Sequence, residues 1–361
     1  MNNDKIKVGI THGDINGIGY EIILKTLEDT RMLELCTPVV YGSAKVASYY
    51  RKGLEMGAVP FNIIAEASQA KPDANNIINV IPEDTKIEPG QSTPEAGAAA
   101  LAALERAVSD IKNGDIDVLV TAPINKHNIQ SEKFSFAGHT EYLANRAGVG
   151  TALMILFNEH IRVALVTTHC PIANVPHEIT TDKVRDTLIT FSKSLTMDFG
   201  ITHPRIAVLA LNPHAGDGGV IGREETDIIT PAIEQAKTDG ISCYGPYAAD
   251  GFFGSQHYRH FDGVLAMYHD QGLAPLKTLS MENGVNYTAG LPFVRTSPDH
   301  GTGYDIAGKG DASEASLRQA IYAAIDIYRR RKNHAEAHSN PLQRQYFDRG
   351  KDNVVLDLSK D

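Results

Sequence analysis

The densest run of reactive side chains is Leu265–Lys277. Val264, Leu265, Ala266 and Met267 lead straight into His269, Asp270, Gln271 and Lys277. The lead-in reads as a buried strand, and open α/β sheets bind ligands at the carboxyl ends of their strands. Two further segments share the design. Ile161–Thr168 ends in His169, within Thr-Thr-His-Cys-Pro, and Ile206–Leu211 is followed by His214, within Asn-Pro-His-Ala-Gly. A single histidine in such a place reads most simply as a hydrogen-bonded loop residue. Three of one pattern, His169, His214 and His269, make an imidazole set suited to a catalytic metal with open positions. His203, His257, His260, His334 and His338 lack that context and read as surface residues.

Anion chemistry is written beside these strands. Gly138-His139-Thr140-Glu141 precedes a helical pattern. Thr140 is expected to cap it, and the free N–H groups of such a helix start suit a phosphate or carboxylate. Lys277, Asn286 and Arg295 fall on three neighbouring segments; each alone reads as a solvated side chain, and together they form an anion clamp. Gly13-Asp14-Ile15-Asn16-Gly17-Ile18-Gly19 is not the G-x-G-x-x-G dinucleotide fingerprint. It reads as a tight turn with close helix–strand packing, with an anion nest as the alternative. Asp299–Gly310 carries four glycines around Asp305-Ile306-Ala307-Gly308, the composition of a shaped loop in close backbone contact with a ligand.

The elements that must position these residues alternate. Strands are expected at Lys5–Ile10, Pro38–Tyr41, Val118–Thr121, Ala152–Phe157, Ile161–Val166, Ile206–Leu211 and Val264–Met267, with short extended pieces at Asn286–Thr288 and Phe293–Arg295. Helices are expected at Ile18–Leu27, Ser43–Lys52, Thr140–Ala147, Thr181–Phe199 and Glu224–Lys237. Thr93-Pro94-Glu95 starts another, which Gly114 stops. Asp311 with Glu314 resembles a capping box opening a helix from Ala312 to about Arg331. Lys71–Asn76 and Ile81–Ser92 read as surface connections, and His334–Asp361 as a polar tail in which Val354-Val355-Leu356 could dock. Alternation of this kind specifies an α/β fold with largely parallel pairing.

Composition bounds the function. A chain of 361 residues is long enough for two domains. The net charge of −10 argues against a nucleic-acid partner. There is no apolar run long enough for a membrane span. Cys36, Cys170 and Cys243 are odd in number and far apart, which fits reduced thiols, and the start of the chain lacks a signal-peptide pattern. A cytoplasmic location is expected.

The combined motifs resemble the 4-hydroxythreonine-4-phosphate dehydrogenase family of vitamin B6 biosynthesis. They are Gly-Asp-x-x-Gly-Ile-Gly, Thr-Ala-Pro-Ile-Asn-Lys, Gly-His-Thr-Glu, Thr-Thr-His, Leu-Asn-Pro-His-Ala-Gly, Gly-Pro-x-x-Ala-Asp, Tyr-His-Asp-Gln-Gly and Arg-Thr-Ser-Pro-Asp-His-Gly-Thr, in order over about residues 5–332. Asp299–Gly310 is similar to the NAD-binding loop of isocitrate and isopropylmalate dehydrogenases. The resemblance implies an isocitrate/isopropylmalate dehydrogenase-like α/β fold: two domains with a cleft between them. Residues 1–125 with 285–335 would bind NAD, residues 126–284 would hold metal, substrate and the dimer contact, and 336–361 would form the tail. It implies one divalent metal per site (Zn, Co or Mg) on His169, His214 and His269, and substrate contacts from His139, Thr140, Lys277, Asn286 and Arg295. His300, Gly301, Thr302, Asp305, Ile306 and Ala307 would contact NAD. It implies a homodimer with a shared site, His169 and His214 from one subunit and His269 from the other. Asp250 is the candidate general base and Lys277 a second catalytic residue. The expected reaction is oxidation of 4-phosphohydroxy-L-threonine at C3, then decarboxylation. Alternatives are a dehydrogenase of 4-phospho-D-threonate or 4-phospho-D-erythronate, and a non-catalytic metabolite- or metal-binding protein. The family usually has prolines where Ile15 and Tyr20 stand; without them the first turn is expected to be less rigid, and any ligand contact it makes to be altered.

Overall fold

The structure is a computed structural model. It describes residues 5–340 except 151, 280 and 281; the docking segment expected at Val354–Leu356 lies outside the described residues. The strands are β1 Ile6–Thr11, β2 Cys36–Gly42, β3 Phe61–Ile64, β4 Asn75–Asn79, β5 Val118–Thr121, β6 Leu153–Phe157, β7 Arg162–Leu165, β8 Ile206–Leu209, β9 Cys243–Tyr247, β10 Gly263–Ala266, β11 Val285–Ala289 and β12 Val294–Pro298. They form one sheet in the order β3-β4-β2-β1-β5-β12-β11-β6-β7-β10-β8-β9. β11 runs antiparallel to both β12 and β6, and β6 antiparallel to β7; the other pairings are parallel. The chain therefore crosses the middle of the sheet after β5 and returns through β11 and β12.

Strand alternation splits the core into layers. Val8, Val120, Ile155, Tyr287 and Val294 face one side, where a single apolar core spans the sheet and packs the helices Gly19–Glu28, Thr181–Met197 and Ala315–His338. On the other side the core is in two pieces. One lies under the helix Pro94–Asn113 and includes Leu119, Tyr142 and Leu143; the other lies under the helix His269–Leu279 and includes Leu156, Leu273 and Leu276. The gap between the two pieces, over β5, β12, β11 and β6, is the floor of a cleft.

Thr93 caps the helix Pro94–Asn113 by accepting from the Ala96 N–H, with Pro94 in the first turn and left-handed Gly114 at the end, as the sequence specifies. Other expectations are corrected. β3, β4 and β9 were not read as strands. β4 begins inside the supposed surface connection Lys71–Asn76, where Asn76 is buried and its side-chain amide donates to Pro38, Lys71 and Ala74 carbonyls. A polar side chain that satisfies a buried backbone reads in sequence as a loop residue. The last helix starts at Ala315, after Glu314, with no side-chain cap. Asp311 is thus not its cap, and the helix runs to His338, into the expected tail.

Candidate active site

The floor is built from alternate residues of four strands. Arg295 on β12, Asn286 and Thr288 on β11, Thr121 on β5, and Met154 and Leu156 on β6 all point away from the continuous core. In register, Asn286 pairs with Ser297 on one side and Leu156 on the other. Arg295 is 2% exposed. Its Nε and Nη2 donate to Thr121 Oγ1 (3.1 and 2.6 Å) and its Nη1 to Thr288 Oγ1 (3.0 Å). Among the described residues it forms no ion pair. Desolvation brings its pKa down to about 9, with Glu141 opposing. A buried guanidinium held only by hydroxyls is a charge awaiting an anion.

The walls come from both sides. The cleft, about 280 Å³, is lined by Lys126, His139, Thr140, Glu141, His169, His269, Lys277, Asn286, Arg295, Asp299, His300 and Gly301. The helix His139–Ala147 points its start at this space. Its cap is Gly138, without a side-chain bond, so Thr140 lies inside the first turn and is not the cap. His139 is held well below its ordinary pKa, first by burial, then by the Arg295 and Lys126 cations. It is neutral at physiological pH. Lys277 Nζ lies 3.4 Å from Asp299 Oδ1. Burial raises the Asp299 carboxyl above its usual range, with the Lys277 ammonium opposing. Asn286 Oδ1, Glu141 Oε2 and His300 Nε2 are buried without hydrogen-bond partners, which suits a polar ligand between them.

His169 and His269 belong to this cleft together, with ring centroids 6.3 Å apart. An ion shared by both would stand about 2 Å from one nitrogen of each ring. His269 Nδ1 is 2.6 Å from Asp270 Oδ1, and His169 Nδ1 is 3.6 Å from Glu141 Oε1. Both carboxylates favour a proton on Nδ1, which leaves His269 Nε2 for a ligand. Lys126 Nζ stands 3.1 Å from His169 Nε2.

His214 is elsewhere. It sits exposed in the turn Pro213–Gly219, outside the cleft lining, with φ +53°; Ala215 and Asp217 are also left-handed. Such backbone costs of order 1 kcal/mol per non-glycine residue. Glu225 holds it by accepting from the Leu211 and Asn212 N–H groups (2.8 and 2.7 Å). Among the described residues of one chain, no three His, Cys, Asp or Glu side chains form a metal-binding group. The resemblance set His169 with His214 against His269; within one chain the structure brings His169 and His269 into one cleft and leaves His214 outside its lining. Asp250, exposed in the helix Ala249–Gly254 that follows β9, is likewise outside the cleft; β9 is the sheet neighbour of β8, the strand that leads to His214.

Of the cofactor-loop residues, His300 and Gly301 line the cleft, whereas Thr302, Asp305, Ile306 and Ala307 do not. Ala307 is buried against the continuous core. Four backbone donors of the first glycine-rich turn already have protein acceptors, which favours the tight-turn reading over an anion nest. Asp14 N bonds to Pro123 O, Asn16 N to Asp14 Oδ1, Gly17 N to Asp14 O and Ile18 N to Thr302 O. Sequence reasoning passed over Thr121, Lys126, Glu141, Thr288 and Asp299. Lys126 and Glu141 close the motifs Thr-Ala-Pro-Ile-Asn-Lys and Gly-His-Thr-Glu, and Asp299 adjoins His300, so motif membership was the available signal.

A mixed α/β sheet with a cationic, histidine-bearing cleft at its central crossover defines an enzyme for a small anionic metabolite. Comparison with known proteins makes the assignment finer. Residues 34–324 match the family described as "Pyridoxal phosphate biosynthetic protein PdxA", and the chain belongs to that family. It is 58% identical over 359 residues to a 4-hydroxythreonine-4-phosphate dehydrogenase of Bacteroides thetaiotaomicron, covering 99% of this chain and 98% of that one. It is 42% identical to the protein of the same name from Sulfurihydrogenibium sp., over 91% of this chain and all of that one. The crystal structure of the Klebsiella pneumoniae 4-hydroxythreonine-4-phosphate dehydrogenase superposes with a TM-score of 0.79 at 34% identity, covering 91% of this chain and 99% of that one. The fold is the isocitrate/isopropylmalate dehydrogenase type.

Proposed function

We propose that this chain oxidises 4-hydroxythreonine-4-phosphate at its C3 hydroxyl with NAD, and that the product loses CO₂ to give 3-amino-2-oxopropyl phosphate for pyridoxine 5′-phosphate synthesis. The observation that carries this reading is Arg295, buried and without an ion pair at the centre of the cleft. A phosphate or carboxylate there would take a bidentate pair from Arg295 and further donors from Lys277, Asn286 and the N–H groups at the start of the helix His139–Ala147. NAD bound here would supply the hydride acceptor for C3, and a divalent metal (Zn, Co or Mg) would supply the Lewis acidity that oxidation and decarboxylation both call on. His169 and His269 fit that metal, each with a carboxylate orienting its ring. Neutral His139 accepts or donates a hydrogen bond without adding to the cleft's positive charge. Within one chain, Asp299 beside Lys277 is the carboxylate placed to take a proton.

The proposal includes a homodimer in which His214 and Asp250, which follow the neighbouring strands β8 and β9, enter the cleft of a second copy. Apolar side chains on the histidine loops support this: Ile172 follows His169 and is 73% exposed, and Val220 follows the His214 turn and is 82% exposed. The division into a cofactor half, residues 1–125 and 285–335, and a metal and substrate half, 126–284, is supported by the crossings after β5 and through β11 and β12. Among the described residues no helix is long and apolar enough to cross a membrane; a cytoplasmic place for the enzyme is part of the proposal. The readings with 4-phospho-D-threonate or 4-phospho-D-erythronate have no support among the relatives described.

The test is NADH formation from 4-hydroxythreonine-4-phosphate, before and after chelation, with 4-phospho-D-threonate as comparator. Turnover that chelation abolishes and added divalent metal restores is expected. Absence of NADH with the metal-loaded protein, or preference for the comparator, would overturn the assignment.

A further inference from the structure

The first glycine-rich turn lies outside the cleft lining, yet two distant segments meet on it. Asp14, 1% exposed, accepts from Tyr304 OH at 2.7 Å and from Asn128 Nδ2 at 2.7 Å with one carboxylate oxygen, and from its own turn at Asn16 N with the other. Asn128 Nδ2 also reaches Tyr304 OH at 3.3 Å. Tyr304 belongs to the loop that carries His300 and Gly301 into the cleft. Asn128 belongs to the segment that carries Lys126 there.

The backbone repeats the connection. Ile18 N donates to Thr302 O at 2.9 Å, and a Cβ on Gly17 would stand 2.7 Å from that oxygen. Gly13, with φ +70°, leaves no room for a Cβ beside Pro123 O. Further along, Lys25 Nζ donates to Gly310 O and Ala312 O at 2.7 and 2.6 Å, and Glu21 Oε1 accepts from Ala312 N at 2.9 Å. The turn and its helix thus hold the middle and the far end of the Gly301–Gly310 loop. That loop has no regular secondary structure of its own and closes on itself only through short turns such as Ile306 N to Gly303 O.

We propose that Asp14 is a positioning residue for the cofactor: it latches the Tyr304 loop to the Asn128 segment and so sets the affinity for NAD without touching it. The inference rests on the NAD reading given above. Hydrogen bonds to a buried carboxylate are strong, and losing one frees a loop that must then be ordered again by the ligand.

The experiment measures NAD⁺ binding by calorimetry, and KM values for NAD⁺ and for 4-hydroxythreonine-4-phosphate, on metal-loaded wild-type protein, Tyr304→Phe, Asp14→Asn and the double variant. Tyr304→Phe removes one hydroxyl from a half-exposed position, so it carries the test even where Asp14→Asn fails to fold. The expected result is a rise of about tenfold in the NAD⁺ dissociation constant and KM, with a much smaller change in kcat and in the substrate KM. The double variant is expected to be no worse than the weaker single one, because both cut the same contact. An unchanged NAD⁺ affinity in Tyr304→Phe, or equal shifts in both KM values tracking a fall in melting temperature, would overturn the latch. Wild-type protein that binds no NAD⁺ would instead bring down the cofactor reading beneath it.

Discussion

Arg295 shows how one residue can be poorly placed for stability and well placed for binding. Its guanidinium has lost its water and gained two threonine hydroxyls, Thr121 and Thr288. Buried charge without a counter-charge is costly in the free protein, and the cost falls when an anion arrives. Arg295→Met removes the charge while keeping an unbranched apolar side chain. The expected outcome is a melting temperature equal to or above wild type, with substrate KM raised about 10- to 100-fold. Inorganic phosphate is expected to raise the melting temperature of wild type and leave that of Arg295→Met where it was. A variant that melts earlier and still responds to phosphate would contradict this account. Thermal-shift and initial-rate measurements decide it.

At the scale of elements, the joint between β1 and the helix Gly19–Glu28 answers the missing prolines. Tyr20 stacks between His12 and Tyr50, with ring centroids 5.3 and 5.8 Å away. Its hydroxyl accepts from Ser43 N at 2.8 Å, and Tyr50 OH donates to Ile15 O at 2.6 Å. Stiffness comes from stacking and hydrogen bonds instead of pyrrolidine rings. The stack has a pH dependence. His12 is fully buried, and burial, opposed by backbone groups of Ala99 and Gly13, lowers its pKa to about 4. The folded pKa lies below the unfolded one, so between the two the unfolded chain binds the proton and the folded chain does not. The stabilisation is complete above the ordinary histidine value and is lost as pH falls from about 6.5 towards 4, by up to about 3 kcal/mol. Denaturant titrations of wild type and His12→Leu should therefore converge or cross as pH is lowered over that window. A constant gap would show that His12 does not titrate in this way.

For the whole molecule, the question is which histidines share a chain. His169 and His269 lie in one cleft, and His214 projects from a turn outside it. In the proposed homodimer, subunit mixing reads this directly. A mixture of His214→Ala with His269→Ala, or with His169→Ala, would rebuild one intact site per hybrid dimer and recover activity. A mixture of His169→Ala with His269→Ala would not, because every cleft in the hybrid lacks one of the pair. Recovery in the last mixture would restore the opposite partition. The same assembly predicts that dilution below the dimer dissociation constant abolishes activity.

The sequence by itself carried what is local. Short continuous apolar runs placed most strands, Thr93-Pro94 and Gly114 bounded a helix correctly, and three strand ends marked three histidines for chemistry. It also carried the motif strings that place the chain in its family. Only the tertiary structure decided lateral relations. β5 and β12 are neighbours although Thr121 and Arg295 are 174 residues apart, and no local pattern encodes that Arg295 meets hydroxyls instead of a carboxylate. The grouping of His169 with His269 follows from β7 lying beside β10, while His214 follows β8 and is turned outward by a left-handed stretch that Glu225 holds. The strands missed, β3, β4 and β9, are sheet-edge or polar strands whose identity comes from the neighbour they bond. Propensity acts over a few residues and pairing acts across the whole sheet, so the reactive groups were legible in the sequence and their company was not.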